Sequence, residues 1–143
     1  MKEIDADALI IGSGLVGLVA AHSLSSLNYK VVLIDKQDFL DSKTSYADTR
    51  TVAISEGSKN FLESLFLWKK IERFAEPIQA IKVYNRSSKN KIFFKNEIIN
   101  NKLGYVVENK KLSNVLRSSL LRFKKIKTFY GESVKKINLN DNC

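Results

Sequence analysis

The sequence predicts an α/β fold built on a β-α-β unit with a parallel sheet, and three observations near its N-terminus carry that prediction. A short apolar run, Ala8-Leu9-Ile10-Ile11, ends in a glycine cluster. A helical pattern follows it. A second apolar run, Val31-Val32-Leu33-Ile34, then ends in Asp35. Two runs that read as buried strands, joined by one helix within about 30 residues, form a parallel pair because parallel neighbours need such a crossover. The 143 residues are about one domain's worth. With 44% apolar and 27% charged residues, wholesale disorder is excluded.

Each element can be justified in order. Asp7 to Gly12 reads as the first strand, too continuously apolar for a half-exposed one. From Leu15 to Leu27 the residues Leu15, Leu18, Val19, Leu24 and Leu27 recur at helical spacing, with Gly17, Ala20 and Ala21 as small residues for close packing. Asn28 and Tyr29 close that helix, and Lys30 to Asp35 is the second strand. Lys36 to Arg50 is polar and aperiodic, a loop by composition. A helix starts near Ser55 or Ser58, either of which can cap it. It is expected to bury Phe61, Leu62, Leu65, Phe66 and Trp68, with Ile71 and Phe74 on a further turn, and to stop at Pro77. Ile78–Tyr84 and Lys91–Lys95 alternate as a hairpin. Leu112, Val115, Leu116, Leu120 and Leu121 mark a third helix, and Ile126–Tyr130 a third core strand. Gly131 turns into an alternating strand, Glu132–Leu139, carrying Val134, Ile137 and Leu139.

The glycines are Gly12-Ser13-Gly14-Leu15-Val16-Gly17, a G-x-G-x-x-G run. Alone it is a weak signal. Here a strand precedes it, a helix follows, and Asp35 closes the next strand 18 residues beyond Gly17, which is the setting of a dinucleotide site on a Rossmann-type unit. Gly12 allows the tight turn, Gly14 lets a diphosphate approach without meeting a Cβ, and Gly17 lets helix and sheet pack closely. Backbone N–H groups of Ser13, Leu15 and Val16 at the helix start are candidate diphosphate donors. Asp35 is the candidate acceptor for ribose hydroxyls. Both NAD and FAD carry the ADP half that this arrangement binds, so the fingerprint leaves that choice open.

Charge is unevenly placed. Residues 1–50 carry a net of −2 and residues 51–143 a net of +11. No zinc-finger spacing or RNP-type aromatic run accompanies the basic part, so nucleic acid is not an expected partner. A solvated basic surface is the reading, with weak attraction to an anionic membrane surface as the functional alternative. No apolar run approaches the ~20 residues needed to span a bilayer. The single cysteine, Cys143, excludes an intrachain disulfide and a cysteine metal cluster. No second histidine accompanies His22 to make a metal pair, so His22 is expected on the surface. The N-terminus lacks the basic start and apolar stretch of a secretory leader, which makes a cytoplasmic location the expectation.

Beyond the second strand, Asp48-Thr49-Arg50-Thr51-Val52-Ala53-Ile54-Ser55 resembles the D-x-R-x-x-A-L-S stretch of the flavin-dependent aromatic hydroxylases of ubiquinone biosynthesis, within the para-hydroxybenzoate hydroxylase class. The likeness continues through Ser58, Leu62, Leu65, Leu67-Trp68, Pro77-Ile78 and Ile81-Lys82-Val83. It recurs at Leu103-Gly104-Tyr105-Val106-Val107-Glu108-Asn109 and Leu112. It thus covers nearly the whole chain, with the 2-octaprenyl-6-methoxyphenol hydroxylases and their paralogues as its nearest group. The resemblance implies that Gly12, Gly14, Gly17 and Asp35 hold the ADP part of FAD, with Lys36 beside the acid. It places Arg50 along the cofactor, Asn109 on the flavin side and Val134 where the backbone meets adenine. Read from the residues alone, Arg50 can equally pair with Asp48, Asn109 can cap a helix and Val134 can be core.

The resemblance also implies what is missing. An Asp-Gly segment after the crossover strands, a later Gly-Asp segment for the ribityl chain, and most of the substrate domain find no counterpart in residues 1–143. The chain therefore reads as the N-terminal piece of a hydroxylase: 1–76 and 102–143 as a partial FAD-binding domain, and 77–101 as the start of a substrate-domain sheet. Expected of it are weak or absent FAD binding in isolation and no assignable catalytic residue or metal ligand. The intact family would use NAD(P)H and a prenylated phenol. Two rivals stand beside this reading. One is a non-catalytic remnant or subunit acting with a complementary C-terminal chain, and the other is an NAD-dependent Rossmann protein. The first strand, lacking a neighbour on one side, is expected as an exposed apolar edge.

Overall fold

The computed structural model describes residues 3–39, 48–84, 91–95 and 102–138. The chain divides by packing into two units, 1–47 with 116–143, and 48–115. The segment 77–101 falls within the second.

In the first unit, β1 (Ala8–Ile11), β2 (Val31–Asp35) and β8 (Ile126–Tyr130) form a parallel sheet in the order β1-β2-β8. Ala8 pairs with Val31 and Ile11 with Ile34, while Val31 pairs with Ile126 and Asp35 with Tyr130. The central strand is the most buried, with Val31, Val32 and Leu33 covered, as the middle of a parallel sheet with a covered face requires. β1 is an edge among the described strands, with Leu9 at 52% and Ile11 at 57% exposure. That edge is the one expected from sequence, but the continuous apolar run does not make β1 a buried strand. Ala8 and Ile10 are half-buried while Leu9 and Ile11 lie exposed, because among the described residues nothing packs on the other face.

Helix α1 (Leu15–Ser26) buries Leu18, Ala21, His22 and Ser25, an i, i+3, i+4, i+7 stripe. This corrects two expectations. His22 is fully buried, its Nε2 lies 2.9 Å from the Leu116 carbonyl oxygen, and its ring meets Phe123 edge-on at 5.7 Å. Leu27, expected on the apolar face, is 69% exposed. The physical reason is that α1 carries apolar side chains on every side. Small Ala21 and Ser25, rather than a leucine stripe, decide which side can approach closely. Asn28, at φ 68°, ends α1 in a left-handed turn in which the Asn28 and Tyr29 N–H groups donate to Ser25 and Leu24 carbonyls.

The expected strand Glu132–Leu139 is not formed over 132–138; Leu139 lies outside the described residues. Alternation specifies a face but supplies no partner, and these residues join none of the described sheets. The Glu132 N–H donates instead to the Asp35 carbonyl at 3.1 Å.

The second unit holds an antiparallel sheet of β3 (Thr51–Ser55), β7 (Gly104–Glu108) and β4 (Ala75–Ile78) in the order β3-β7-β4, and a separate hairpin of β5 (Ala80–Tyr84) and β6 (Lys91–Lys95). β3 and β7 were not expected as strands, because a five-residue apolar run next to polar loop residues carries little period. Ser55 ends β3 and caps α2 (Glu56–Ser64) with its hydroxyl, which accepts the Ser58 N–H at 3.2 Å.

Helix α2 stops at Ser64, not at Pro77. Phe66 adopts φ 57°, and the N–H groups of Phe66 and Leu67 donate to the carbonyls of Glu63 and Leu62, closing the helix. That reversal turns Phe66 outward at 79% exposure and Leu67 inward. Phe61 is also exposed and Phe74 only partly covered, so of the expected aromatic core Trp68 alone is buried, edge-on against Tyr105 at 4.8 Å. Trp68 opens the short α3 (Trp68–Ile71), and a 3₁₀ turn at Glu72–Phe74 follows. Pro77 sits in edge strand β4, where its missing N–H is tolerated. Helix α4 (Asn109–Leu120) begins in the second unit and ends in the first, with Leu112, Val115, Leu116 and Leu120 buried and Leu121 exposed.

Candidate functional site

The site in the first unit is built where β1 runs out. Gly12 takes φ 101°, a left-handed turn that favours glycine, and its N–H donates to the Ile34 carbonyl at 2.8 Å, keeping the turn against β2. A Cβ on Gly17 would collide with the Gly12 carbonyl oxygen, so Gly17 is the close-packing glycine. A Cβ on Gly14 would meet nothing within 4 Å. The loop is therefore tight on its inner side and open at Gly14, the position where the sequence pattern leads one to expect a diphosphate.

Gly14 is the N-cap of α1, offers no side-chain acceptor, and the first turn holds no acidic residue. The N–H groups of Leu15 and Val16 thus belong to the helix turn that has no intrahelical acceptors, and they face no competing carboxylate of their own helix. Val16 is 85% exposed. Ser13 departs from the expectation. Its N–H donates to Asp35 Oδ2 at 2.6 Å and its hydroxyl to the same oxygen at 2.8 Å, so Ser13 clasps the acid and its N–H is not available to a diphosphate.

Asp35 ends β2 with Oδ1 accepting the Gln37 N–H at 2.9 Å. Burial pushes its carboxyl up, but the bonds from Gln37 and Ser13 and the nearby Arg117 charge outweigh this and hold it below its ordinary value. An ionised carboxylate with lone pairs to spare suits ribose hydroxyls. Lys36 follows it, exposed. Arg117, which sequence reasoning missed, stacks 3.6 Å over Phe39 and donates to the Ser13 carbonyl at a long 3.4 Å. Val134 is half-buried in the segment that forms no strand.

The other two predicted residues lie in the second unit, where the structure brings them together. Asp48 accepts from Arg50 Nε at 2.8 Å, from Arg50 Nη2 at 3.0 Å and from Asn109 Nδ2 at 2.9 Å, while the Asn109 N–H donates to the Arg50 carbonyl at 2.9 Å. The Arg50 side chain, then the Asn109 amide, hold the Asp48 carboxyl well below the usual carboxylate range. The two sequence runs that carry the family likeness are paired strands here, Thr51 opposite Glu108 and Ser55 opposite Gly104, which explains why they occur together. Arg50 remains 79% exposed at its side chain. Among the described residues no group of three His, Cys, Asp or Glu side chains could hold a metal ion.

Residues 7–87 match the family described as FAD dependent oxidoreductase, more than half of the chain. The chain belongs to that family. The NAD-dependent alternative gives way to FAD, the cofactor of the family. The chain is similar to the ubiquinone hydroxylase UbiL of Rhodospirillum rubrum, with 31% identity over 82% of this chain and 27% of that protein. It is also similar to the mitochondrial ubiquinone biosynthesis monooxygenase COQ6 of Dictyostelium discoideum, with 28% identity over 92% of this chain and 30% of that one. The resemblance drawn from the Asp48–Ser55 and Leu103–Asn109 runs thus points to the same group. In fold it is similar to p-nitrophenol 4-monooxygenase PnpA of Pseudomonas putida, at TM-score 0.77 and 18% identity, covering 99% of this chain and 35% of that one. The chain spans under a third of the length of these curated relatives. Among the described residues no helix is long and apolar enough to cross a membrane.

The site fits the ADP half of FAD. The open approach at Gly14, the uncapped first turn of α1 and the ionised Asp35 match a diphosphate and a ribose in both charge and shape.

Proposed function

We propose that this chain is the FAD-binding part of a flavin-dependent aromatic-ring monooxygenase that hydroxylates a prenylated phenol in ubiquinone biosynthesis with NAD(P)H and molecular oxygen. The observation that carries the reading is the glycine loop, closed at Gly17, open at Gly14 and fixed beside Asp35. The names of the ubiquinone-pathway relatives support the substrate class.

In this reading Leu15 and Val16 donate backbone N–H groups to the diphosphate. Asp35 accepts from the adenosine ribose, and the Ser13 clasp fixes the direction of its free lone pairs. When bound, the flavin supplies the electron transfer and oxygen chemistry, which no protein side chain provides. Arg50, held by Asp48 and Asn109 just before β3, carries a fixed positive charge of the kind that suits an anionic or electron-rich group. No residue of this chain is assigned as a catalytic acid, base or nucleophile.

The chain is proposed to be inactive alone. Flavin-dependent hydroxylation needs a cavity closed to water, and a chain spanning under a third of its relatives supplies only part of one. A complementary C-terminal chain is the partner this implies, with a membrane surface as a weak further contact for the basic half. Product formation driven by NADH or NADPH, followed with and without a supplied C-terminal chain, tests this. Hydroxylated prenylphenol made only by the pair supports it, and turnover by the 143-residue chain alone overturns it.

A further inference from the structure

We propose that Arg117 is a positioning residue of the dinucleotide site, holding the clasp of Ser13 and Asp35 from behind through the Ser13 carbonyl and its stack on Phe39. The inference rests on the dinucleotide reading for its purpose, but its geometry stands without a ligand. Arg117 lies in the second half of α4, 104 residues from Ser13, and its Nη2 reaches the Ser13 carbonyl at 3.4 Å. Its guanidinium lies 3.6 Å over Phe39, and Phe39 meets Tyr130 edge-on at 5.5 Å. Tyr130 in turn pairs with Asp35 across the sheet. Four side chains, Ser13, Phe39, Arg117 and Tyr130, are thus linked to one another or to Asp35 around its end of β2.

The placement of the arginine is costly, which argues for a purpose. Among the described residues its Nε is buried without a hydrogen-bond partner, and burial pulls the guanidinium below its ordinary value, opposed only in part by Tyr130 and Asp35. A side chain serving only to cover Phe39 would do so more cheaply as leucine or methionine. Placed here, the cation does two things. It restrains the Ser13 peptide, whose N–H is the shortest bond to Asp35, and it favours the ionised carboxylate. An acid fixed in one orientation loses less freedom when it receives ribose hydroxyls.

The test uses the full chain, first without ligand. Nuclear magnetic resonance reads the Ser13 amide exchange rate and the titration midpoint of the Asp35 carboxyl in wild type, Arg117→Gln and Arg117→Lys. Arg117→Gln is expected to speed Ser13 exchange about threefold to tenfold, the worth of one such bond, and to move the Asp35 midpoint upward. Arg117→Lys, which keeps the charge, is expected to restore the midpoint more than the exchange rate. Unchanged exchange and an unchanged midpoint in folded Arg117→Gln would overturn the proposal. Should Arg117→Gln fail to fold, Phe39→Leu removes the platform and keeps the charge, and Ser13 exchange no faster than wild type there overturns it equally. A titration with ADP then adds the ligand: affinity lowered several-fold by Arg117→Gln supports the positioning role, and undiminished affinity counts against it. Absence of ADP binding to wild type would sink the dinucleotide reading, while the unliganded comparison still decides Arg117.

Discussion

Two glycines of the G-x-G-x-x-G run, Gly14 at the N-cap and Gly17 in the first turns of α1, are expected to respond to substitution in opposite ways, and the contrast isolates ligand binding from folding. At Gly17 a Cβ would collide with the Gly12 carbonyl oxygen, stand 3.1 Å from the Gly12 carbonyl carbon and lie 3.4 Å from Ile10 Cγ2. The first two contacts are backbone, so relief needs the turn or the helix to move. Overpacking of this kind costs about 1–3 kcal/mol, occasionally more. Alanine recovers about 1 kcal/mol of helix propensity, and the collision with rigid backbone wins. Gly17→Ala should therefore lower the thermal midpoint by several degrees, at roughly 2–4 °C per kcal/mol for a chain of this size. At Gly14, φ −65° and ψ 179° suit any residue, and the space is open. Gly14→Val should leave the midpoint within a few degrees of wild type and abolish ADP binding, because its branched side chain fills the diphosphate's approach. Thermal circular dichroism paired with an ADP titration reads both. Unchanged ADP affinity in folded Gly14→Val would show the fingerprint to be a turn and nothing more; a Gly17→Ala protein as stable as wild type would refute the packing argument.

Three further outcomes follow from particular contacts. His22→Ala removes a buried ring, its bond to the Leu116 carbonyl and its edge contact with Phe123; chemical denaturation should show a loss of about 2–4 kcal/mol, and a change under 0.5 kcal/mol would return His22 to the periphery. Asp35 has a folded-state carboxyl held below its ordinary value of 3.8, so its contribution is full above the unfolded value and is lost as pH falls from about 4 through the folded value. Wild-type stability should fall more steeply over that acid range than that of Asp35→Asn, and parallel curves would contradict the clasp. The β1 edge, with Leu9 and Ile11 half-exposed, should make the lone chain self-associate. Leu9→Lys should shift it toward monomer in sedimentation velocity, and a wild type already monomeric at every concentration would remove the argument.

The parallel β1-β2-β8 sheet was legible because continuous apolar runs bounded by Gly and Asp leave few alternatives, and the glycine spacing fixed the turn between the first two strands. The buried face of α1 was not. Its leucines surround the helix, and only the close approach at Ala21 and Ser25 selects His22 for the interior. The aromatic residues of α2 misled for a related reason. Phe61 and Phe66 share a helical spacing with Leu62 and Leu65, but Phe61 lies on the exposed side of α2, and the left-handed turn at Phe66 closes the helix and sends Phe66 outward and Leu67 inward. In the site, Asp35 was visible as the acid closing a strand, and Asp48 was visible as an alternative partner for Arg50. Arg117 was hidden, since nothing in the sequence of α4 says that a residue 104 positions away reaches the glycine loop. Its one local signal is a lone arginine between Leu116 and the small residues Ser118 and Ser119.

The most direct measurement follows the backbone amides of the 143-residue chain during separate titrations with ADP, FAD and FMN. Binding through the ADP half predicts that ADP and FAD perturb the same amides, Gly12 to Gly17 and Asp35 to Gln37, with weak affinity, while FMN leaves them unmoved. Perturbation of those amides by FMN but not ADP would contradict it, as would stoichiometric flavin held tightly through purification.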